Sequence, residues 1–323
     1  MGETVVITRD EVQAALDVPS LIDAVERAFI AYSSGHAELP GVIHLDVPAY
    51  RGQIHVKAGH LHGATHYAVK VASGFYGTEP PVVDGLVLVF EASTGSLAAL
   101  ILDRGLITDL RTGAAGGVAA RLLAPEQVRR VAVLGTGAQA RHQLDALACV
   151  RGFEEVRLWG RSRTKAVDLV GELLDRPGLP ERANYAVAET VEAALEGADI
   201  VITCTASREP FVRAEWLKAG AHVTALGSDG VGKQELDAEV LRRADVIACD
   251  SREQCVRIGE LQHAPAEAGR ALELGAIAAG TAQGRTSDEQ LTVCALTGVG
   301  VHDVAAAGLV MDRATRVRRR EEP

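Results

Sequence analysis

The stretch Val131-Ala-Val-Leu-Gly-Thr-Gly-Ala-Gln-Ala-Arg141 constrains the fold more than any other part of the chain. Val131 to Leu134 predict a short buried strand, and the chain turns at once into Gly135-Thr136-Gly137-Ala138-Gln139-Ala140. From Arg141 to Val150 apolar residues recur at helical spacing, at Leu144, Leu147 and Ala148. A glycine-rich turn alone is a weak signal, but set between a strand and a helix it matches a dinucleotide-binding fingerprint. Gly135 allows the tight turn and Gly137 lets the backbone approach a pyrophosphate. Ala140 stands where a third small residue permits close helix–strand packing. The phosphates are then expected on the unpaired N–H groups at the helix start. The alternative is a structural turn with no ligand.

The texture on either side of this stretch differs. After residue 131, apolar strands at 156–159, 185–187, 200–204, 222–226 and 246–249 alternate with helical patterns at 164–174 and 191–195. That alternation predicts a parallel, doubly wound sheet. Residues 264–283 read as irregular helix and loop, 291–296 as a last strand, and 299–319 as a long final helix. Before it, a strand at 4–8 leads to a helix capped by Asp10. A second helix starts at Pro19-Ser20, buries Leu21, Ala24, Val25, Ala28 and Phe29, and ends at Ser33-Ser34-Gly35. Strands at 42–47, 53–58, 67–71, 86–90 and 97–102, with a hairpin turn at 92–95, predict a mostly antiparallel sheet, an α+β half. An alanine- and glycine-rich helix at 107–124 bridges the halves.

Composition narrows the partners. The 323 residues suit about two domains. A formal net charge of −10, with no basic stripe except Arg316 to Arg320, argues against nucleic acid. The five cysteines are odd in number and lack CxxC spacing, no secretory signal opens the chain, and no apolar run approaches the ~18 residues of a membrane span. These features read as a cytoplasmic protein without a membrane partner.

Several polar residues stand in apolar surroundings. Past the strand at 156–159, Arg161 and Ser162 occupy the place where an NAD site usually offers a carboxylate to the ribose 2′-hydroxyl. A guanidinium there suits a 2′-phosphate and favours NADP(H); if Arg161 only stacks on the adenine, NAD(H) is accommodated. Lys70 lies in Tyr67-Ala-Val-Lys-Val71, and Arg111 interrupts the alanine-rich helix. By position alone each is expected to face solvent. Asp229 follows a strand of the parallel sheet, in the crevice where such sheets bind ligands, although Asp before Gly230 is also a common turn. His60-Leu-His62 has no nearby Cys or carboxylate to complete a metal site, and no metal is expected.

Taken together, Tyr67-Ala-Val-Lys-Val71, Leu106-Ile-Thr-Asp-Leu-Arg-Thr-Gly-Ala114, Leu134-Gly-Thr-Gly-Ala-Gln-Ala-Arg141, Trp159-Gly-Arg-Ser162, Gly220-Ala-His-Val-Thr-Ala-Leu-Gly-Ser-Asp229 and Gly232-Lys-Gln-Glu-Leu236 are specific. The chain resembles the ornithine cyclodeaminase/μ-crystallin family over nearly its whole length. The resemblance implies a Rossmann dinucleotide-binding domain, 123–300, inserted into an α+β substrate-binding and dimerisation domain, 1–122 with 301–323. It also implies a homodimer and chemistry at the α-carbon of an amino or imino acid beside a nicotinamide. Lys70 and Arg111 match the family's basic residues around the substrate carboxylate, and Asp229 the acidic residue that handles protons on nitrogen. The expected cofactor set is Gly135, Thr136, Gly137, Ala138, Gln139, Arg161 and Ser162, with Thr112, Thr205 and Ser228. The family's N-terminal substrate arginine falls at Val42, which cannot bind a carboxylate; Lys57, with His55 nearby, is the expected substitute and suits a second acidic group such as that of iminosuccinate. The expected reaction is NAD(P)H-dependent reduction of an imino acid to an L-amino acid, or its reverse. Its alternatives are an ammonia-releasing cyclodeaminase with bound NAD and a non-catalytic, crystallin-like nucleotide binder.

Overall fold

The computed structural model describes residues 4–75, 77–79 and 82–321, with the side chains of 315–321, including the basic run Arg316–Arg320, outside the described set. Two compact units divide the chain inside one helix, residues 1–111 with 299–323 and residues 112–298.

The first unit opens with β1 (Val5–Thr8), α1 (Arg9–Ala15) and α2 (Val18–Ser33). Thr8, not Asp10, caps α1: its hydroxyl accepts from the Glu11 N–H while the Glu11 carboxylate accepts from the Thr8 N–H. This reciprocal capping box satisfies two end donors, and Asp10 falls into the first turn. Then come β2 (Ala37–Glu38), β3 (Ile43–Val47), β4 (Gly52–Leu61), β5 (His66–Phe75), β6 (Val82–Glu91), β7 (Leu97–Leu102) and α3 (Leu106–Leu123), which starts in this unit. The strands form one sheet in the order β1-β7-β6-β5-β4-β2, with β3 also on β4. All pairs are antiparallel except β1 with β7. Strand alternation places Lys57 and Lys70, directly paired across β4 and β5, on the same face as Val87 of β6. Val87, Val89, Ile101, Phe29 and Ile22 are fully or almost fully buried.

The second unit continues with β8 (Arg130–Leu134), α4 (Ala138–Ala148), β9 (Glu155–Trp159), α5 (Arg163–Leu174), β10 (Asn184–Val187), α6 (Val191–Leu195), β11 (Ile200–Thr203), β12 (His222–Ala225), α7 (Ala238–Arg243), β13 (Val246–Cys249), α8 (Arg252–Ile258), β14 (Leu272–Glu273), α9 (Leu274–Ala278) and β15 (Thr292–Ala295). Its sheet is wholly parallel, in the order β10-β9-β8-β11-β12-β15-β13-β14. The central strands β11, β12, β13 and β15 are buried at every position and β8 at all but Arg130; apart from Arg130 and His222, at two strand starts, their residues are apolar or small, as a covered parallel sheet requires. Strand order reverses between β8 and β11, which makes their C-terminal ends the switch point of a doubly wound sheet. α10 (Gly300–Glu321) closes the first unit, packing on α2, β4 and β5. Among the described residues no helix is long and apolar enough to cross a membrane.

Candidate functional site

In the second unit the switch point opens into a cleft of about 450 Å³. Gly135, Thr136, Gly137, Arg161, Ser162 and Thr205 line it. Gly135 has φ of +133°, and a Cβ there would lie 2.7 Å from the Cys204 carbonyl oxygen, so only glycine fits between the loops after β8 and β11. A Cβ on Gly137 meets nothing within 4 Å, which leaves the backbone open to a ligand. The helix starts make the same point. Side chains of Ser162, Thr190, Asp237 and Ser251 cap α5, α6, α7 and α8, whereas α4, like the five-residue α9, has no side-chain cap and begins at Gly137 on the cleft. Its end N–H groups and positive dipole end are suited to a phosphate. The residues present therefore fit a dinucleotide.

The remaining residues expected at the cofactor have other local roles. Ala138 and Gln139 form the first turn of α4, with Gln139 accepting from Gln143 Nε2 at 3.4 Å. The Thr112 carbonyl accepts from Gln143 Nε2 at 2.9 Å. Ser228 is buried and donates to the Lys233 carbonyl at 2.8 Å. Thr205 donates through its N–H, at 2.6 Å, and its hydroxyl, at 2.7 Å, to Glu235.

Glu235 lies in the segment Gly232–Leu236 that shares in the family resemblance, but the sequence assigns it no role. Fully buried, its carboxylate also accepts from the Thr203 hydroxyl at 2.6 Å and the Gly227 N–H at 2.8 Å. It thus ties the loop after β11, a wall of the cleft, to the loop after β12 that carries Asp229. Burial raises its pKa against those four donors. Glu260 accepts in turn from the N–H groups of Glu235 and Leu236, and burial pushes it up to about 8. Asp229 itself is half-exposed and pairs with Lys233 Nζ at 2.5 Å.

The first unit holds a second constellation. Lys70 and Arg111, expected on solvent-facing positions, are 3% and 4% exposed. What makes their burial tolerable is Asp303, one turn into α10 and 2% exposed, whose Oδ1 accepts from Lys70 Nζ and Arg111 Nε, each at 3.0 Å. Close packing puts it there: a Cβ on Gly300 would lie 2.4 Å from the Ala58 carbonyl oxygen, so glycine lets the start of α10 seat on β4. Burial alone would raise the Asp303 carboxyl, but Lys70, Arg111 and Lys57 hold it at about 2. Lys70 moves the other way: burial, reinforced by Arg111 and Lys57, pulls its pKa down to about 7 against the opposing pull of Asp303. Three cations converge on one carboxylate, a setting that accommodates a further anion.

Lys57 and His55 lie two apart on the same face of β4. Val42 directly precedes β3, whose first residue, Ile43, pairs with Val56, the neighbour of Lys57. His55 pairs with His44 and its ring meets the His44 ring edge-on at 4.6 Å. Among the described residues, no group of three or more His, Cys, Asp or Glu side chains could hold a metal ion. Asp303, like Glu235, was missed from sequence. Its signal is a lone carboxylate among Val299, Val301, Val304, Ala306 and Ala307, on the apolar side of the final helix.

Comparison with known proteins places these features. The family model "Ornithine cyclodeaminase/mu-crystallin family" matches residues 2–317. The chain is 34% identical over 322 residues to the alanine dehydrogenase of Archaeoglobus fulgidus, covering 97% of this chain and 95% of that one. Among solved structures, the Δ1-pyrroline-2-carboxylate reductase of Thermococcus litoralis, in complex with NADH and L-proline, superposes with a TM-score of 0.89 at 28% identity, covering 97% of this chain and 98% of that one. The iminosuccinate reductase of Paracoccus denitrificans, in complex with NAD+, gives 0.86 at 29%, covering 97% of each. A match over almost every residue, together with an uncapped glycine-rich helix start at the switch point, means that the chain belongs to the ornithine cyclodeaminase/mu-crystallin family.

Proposed function

We propose that the protein is an NAD(P)H-dependent oxidoreductase that reduces an imino acid to an L-amino acid, or runs the reverse dehydrogenation, with NADP(H) preferred. The observation that carries this reading is the buried Lys70–Arg111–Asp303 cluster, whose excess of positive charge suits the α-carboxylate of an amino or imino acid. The names of the relatives agree with it.

Lys70 and Arg111 bind the carboxylate and so orient the α-carbon, the positioning on which such a reaction depends. A bound nicotinamide supplies or takes the hydride. Asp229 holds or moves the proton on the substrate nitrogen, a general acid–base role. Gly135, Gly137 and the start of α4 hold the pyrophosphate, and Arg161 and Ser162 the 2′-phosphate. Lys57 stands beside the place of the family's missing arginine, and we propose that it binds the second carboxylate of a substrate such as iminosuccinate.

The test is oxidation of NADPH and NADH, measured separately, with ammonia and oxaloacetate, pyruvate or glyoxylate. Turnover with oxaloacetate, at least tenfold better with NADPH, is the expected outcome. Arg161→Ala should erase that preference by raising the KM for NADPH about tenfold, the value of a lost charge-assisted pair. Asp229→Asn should lose most turnover with cofactor binding intact. No oxidation with any acid, but ammonia from ornithine alone, would make the protein a cyclodeaminase. Binding without any turnover would make it a crystallin-like nucleotide binder.

We also propose a homodimer. The sheet face turned away from Lys57 and Lys70 carries Val69, Val71, Leu86 and Leu88, continued at the margins by the exposed Val6, Leu102, Ile43 and Leu45. A continuous apolar face of this kind marks an interaction surface. Light scattering should return twice the 34.0 kDa chain mass, and Leu88→Asp should return one. A monomeric wild type would refute it.

A further inference from the structure

The carboxylate subsite proposed above does not explain why its two cations are joined through an acid. We infer that Asp303 is the positioning residue of that subsite: gripping Lys70 Nζ and Arg111 Nε with a single oxygen, it orders both cations toward one substrate carboxylate. This inference rests on the imino-acid reading and deepens it.

The geometry is that of a shared anchor. Arg111 is held through Nε, the nitrogen that a bidentate carboxylate pairing through the two terminal amino groups does not need. Lys70 offers three donors and spends one on Asp303. The anchor is itself fixed from two sides. Gly300 seats α10 against Ala58, and the carboxylate lies in the first turn of the helix, where the helix dipole favours a negative charge. The other Asp303 oxygen, Oδ2, is buried without a hydrogen-bond partner, so the residue is not spent on capping or bracing the backbone.

The charged and titratable groups facing this anchor are Lys57 of β4, Lys70 of β5, Arg111 of α3 and, from α10 itself, His302, with Asp103 before α3 acting on Lys70. His302 is buried against Phe29, and burial with the neighbouring cations holds its pKa well below the ordinary value, so it stays neutral. Within this set Lys70 is the group that changes charge near neutrality, and Asp303 is the neighbour that most favours its charged form. Without Asp303, Lys70 loses its proton at lower pH. The alkaline limb of kcat/KM, which reports the free enzyme, should therefore move to lower pH.

The test is the pH profile of kcat/KM for Asp303→Asn in the full chain, with NADPH affinity from fluorescence titration. The expected result is a limb displaced downward by about one pH unit or more and a KM for the imino acid raised at least tenfold, with NADPH affinity unchanged. A loss confined to kcat, with limb and KM in place, would be a structural defect and would overturn the inference. So would a profile identical to wild type. Should Asp303→Asn fail to fold, Asp303→Glu keeps the charge on a longer arm. Its limb should stay put while the displaced cations raise KM at least fivefold, and an unchanged KM overturns the inference. Wild type that turns over no imino acid refutes the underlying function and this inference with it. Wild-type turnover with an unmoved limb in Asp303→Asn refutes the inference alone.

Discussion

Replacing Arg111 with alanine is expected to lower kcat/KM for the imino acid about a thousandfold, some 4 kcal/mol of transition-state binding, and to leave dinucleotide affinity within about twofold. The loss has two parts. The variant lacks the planar fork that matches a carboxylate, and it leaves Asp303 with one cation where it had two at 3.0 Å. Truncating a buried, hydrogen-bonded charge costs about 3–5 kcal/mol in such settings, because the remaining partner stays desolvated. The pH profile supplies a sign. Arg111 is one of the groups that lower the Lys70 pKa from its ordinary value to about 7, so its removal moves Lys70 upward. The alkaline limb should shift to higher pH in Arg111→Ala and to lower pH in Asp303→Asn. Steady-state kinetics over pH 6–10 would check both, and a loss under tenfold would remove Arg111 from the substrate subsite.

The second large effect is expected at Gly135. An alanine there must adopt φ near +133° and place its Cβ 2.7 Å from both the carbonyl oxygen and the sulfur of Cys204. Backbone strain costs about 1–3 kcal/mol and forced overpacking about as much again, so a destabilisation of ~3 kcal/mol or more is expected. To relieve the clash the loop after β8 must move away from the loop after β11, which spoils the cleft between them. Thermal unfolding with and without NADPH separates the two consequences. Gly135→Ala should unfold at lower temperature and show no stabilisation by the dinucleotide, whereas Gly137→Ala, with open space at its Cβ, should keep its thermal stability and lose only binding. A Gly135→Ala protein that still gains stability from NADPH would refute the assignment of the cleft.

What could be read from sequence follows from how local each cause is. The strand–turn–helix around Gly135 was legible because backbone conformation and close approach are properties of adjacent residues. The parallel sheet was legible because strands covered on both faces are apolar throughout. Burial of Lys70 and Arg111 was not, since a lone charge on a strand or helix defaults to solvent and their common counter-ion lies 233 and 192 residues away. Asp303 stands out little in sequence, because a negative charge near the start of a helix has an ordinary explanation in the dipole. Glu235 gave no sign of its role although its segment shares in the family resemblance, because its donors come from two segments remote from it, Thr203–Thr205 and Gly227. The helix start at Thr8 turned on a competition between two acceptors two residues apart, which Glu11 decides.

The position of β15 and α10 bears on how the protein is made. β15 lies between β12 and β13, so the sheet of the second unit has an open slot until residues 292–295 arrive. The first unit lacks the helix that covers β4 and β5 until α10 follows, and Lys70 lacks its hydrogen-bonded partner Asp303 until then. During synthesis on the ribosome, both sheets must therefore wait for segments from the last tenth of the chain, although most of their strands emerge much earlier. Long-range closures of this kind slow folding and prolong the exposure of apolar surface and unpaired strands. A nascent chain stopped before residue 292 should be held by chaperones or aggregate, and acquisition of protease resistance should coincide with emergence of the final helix.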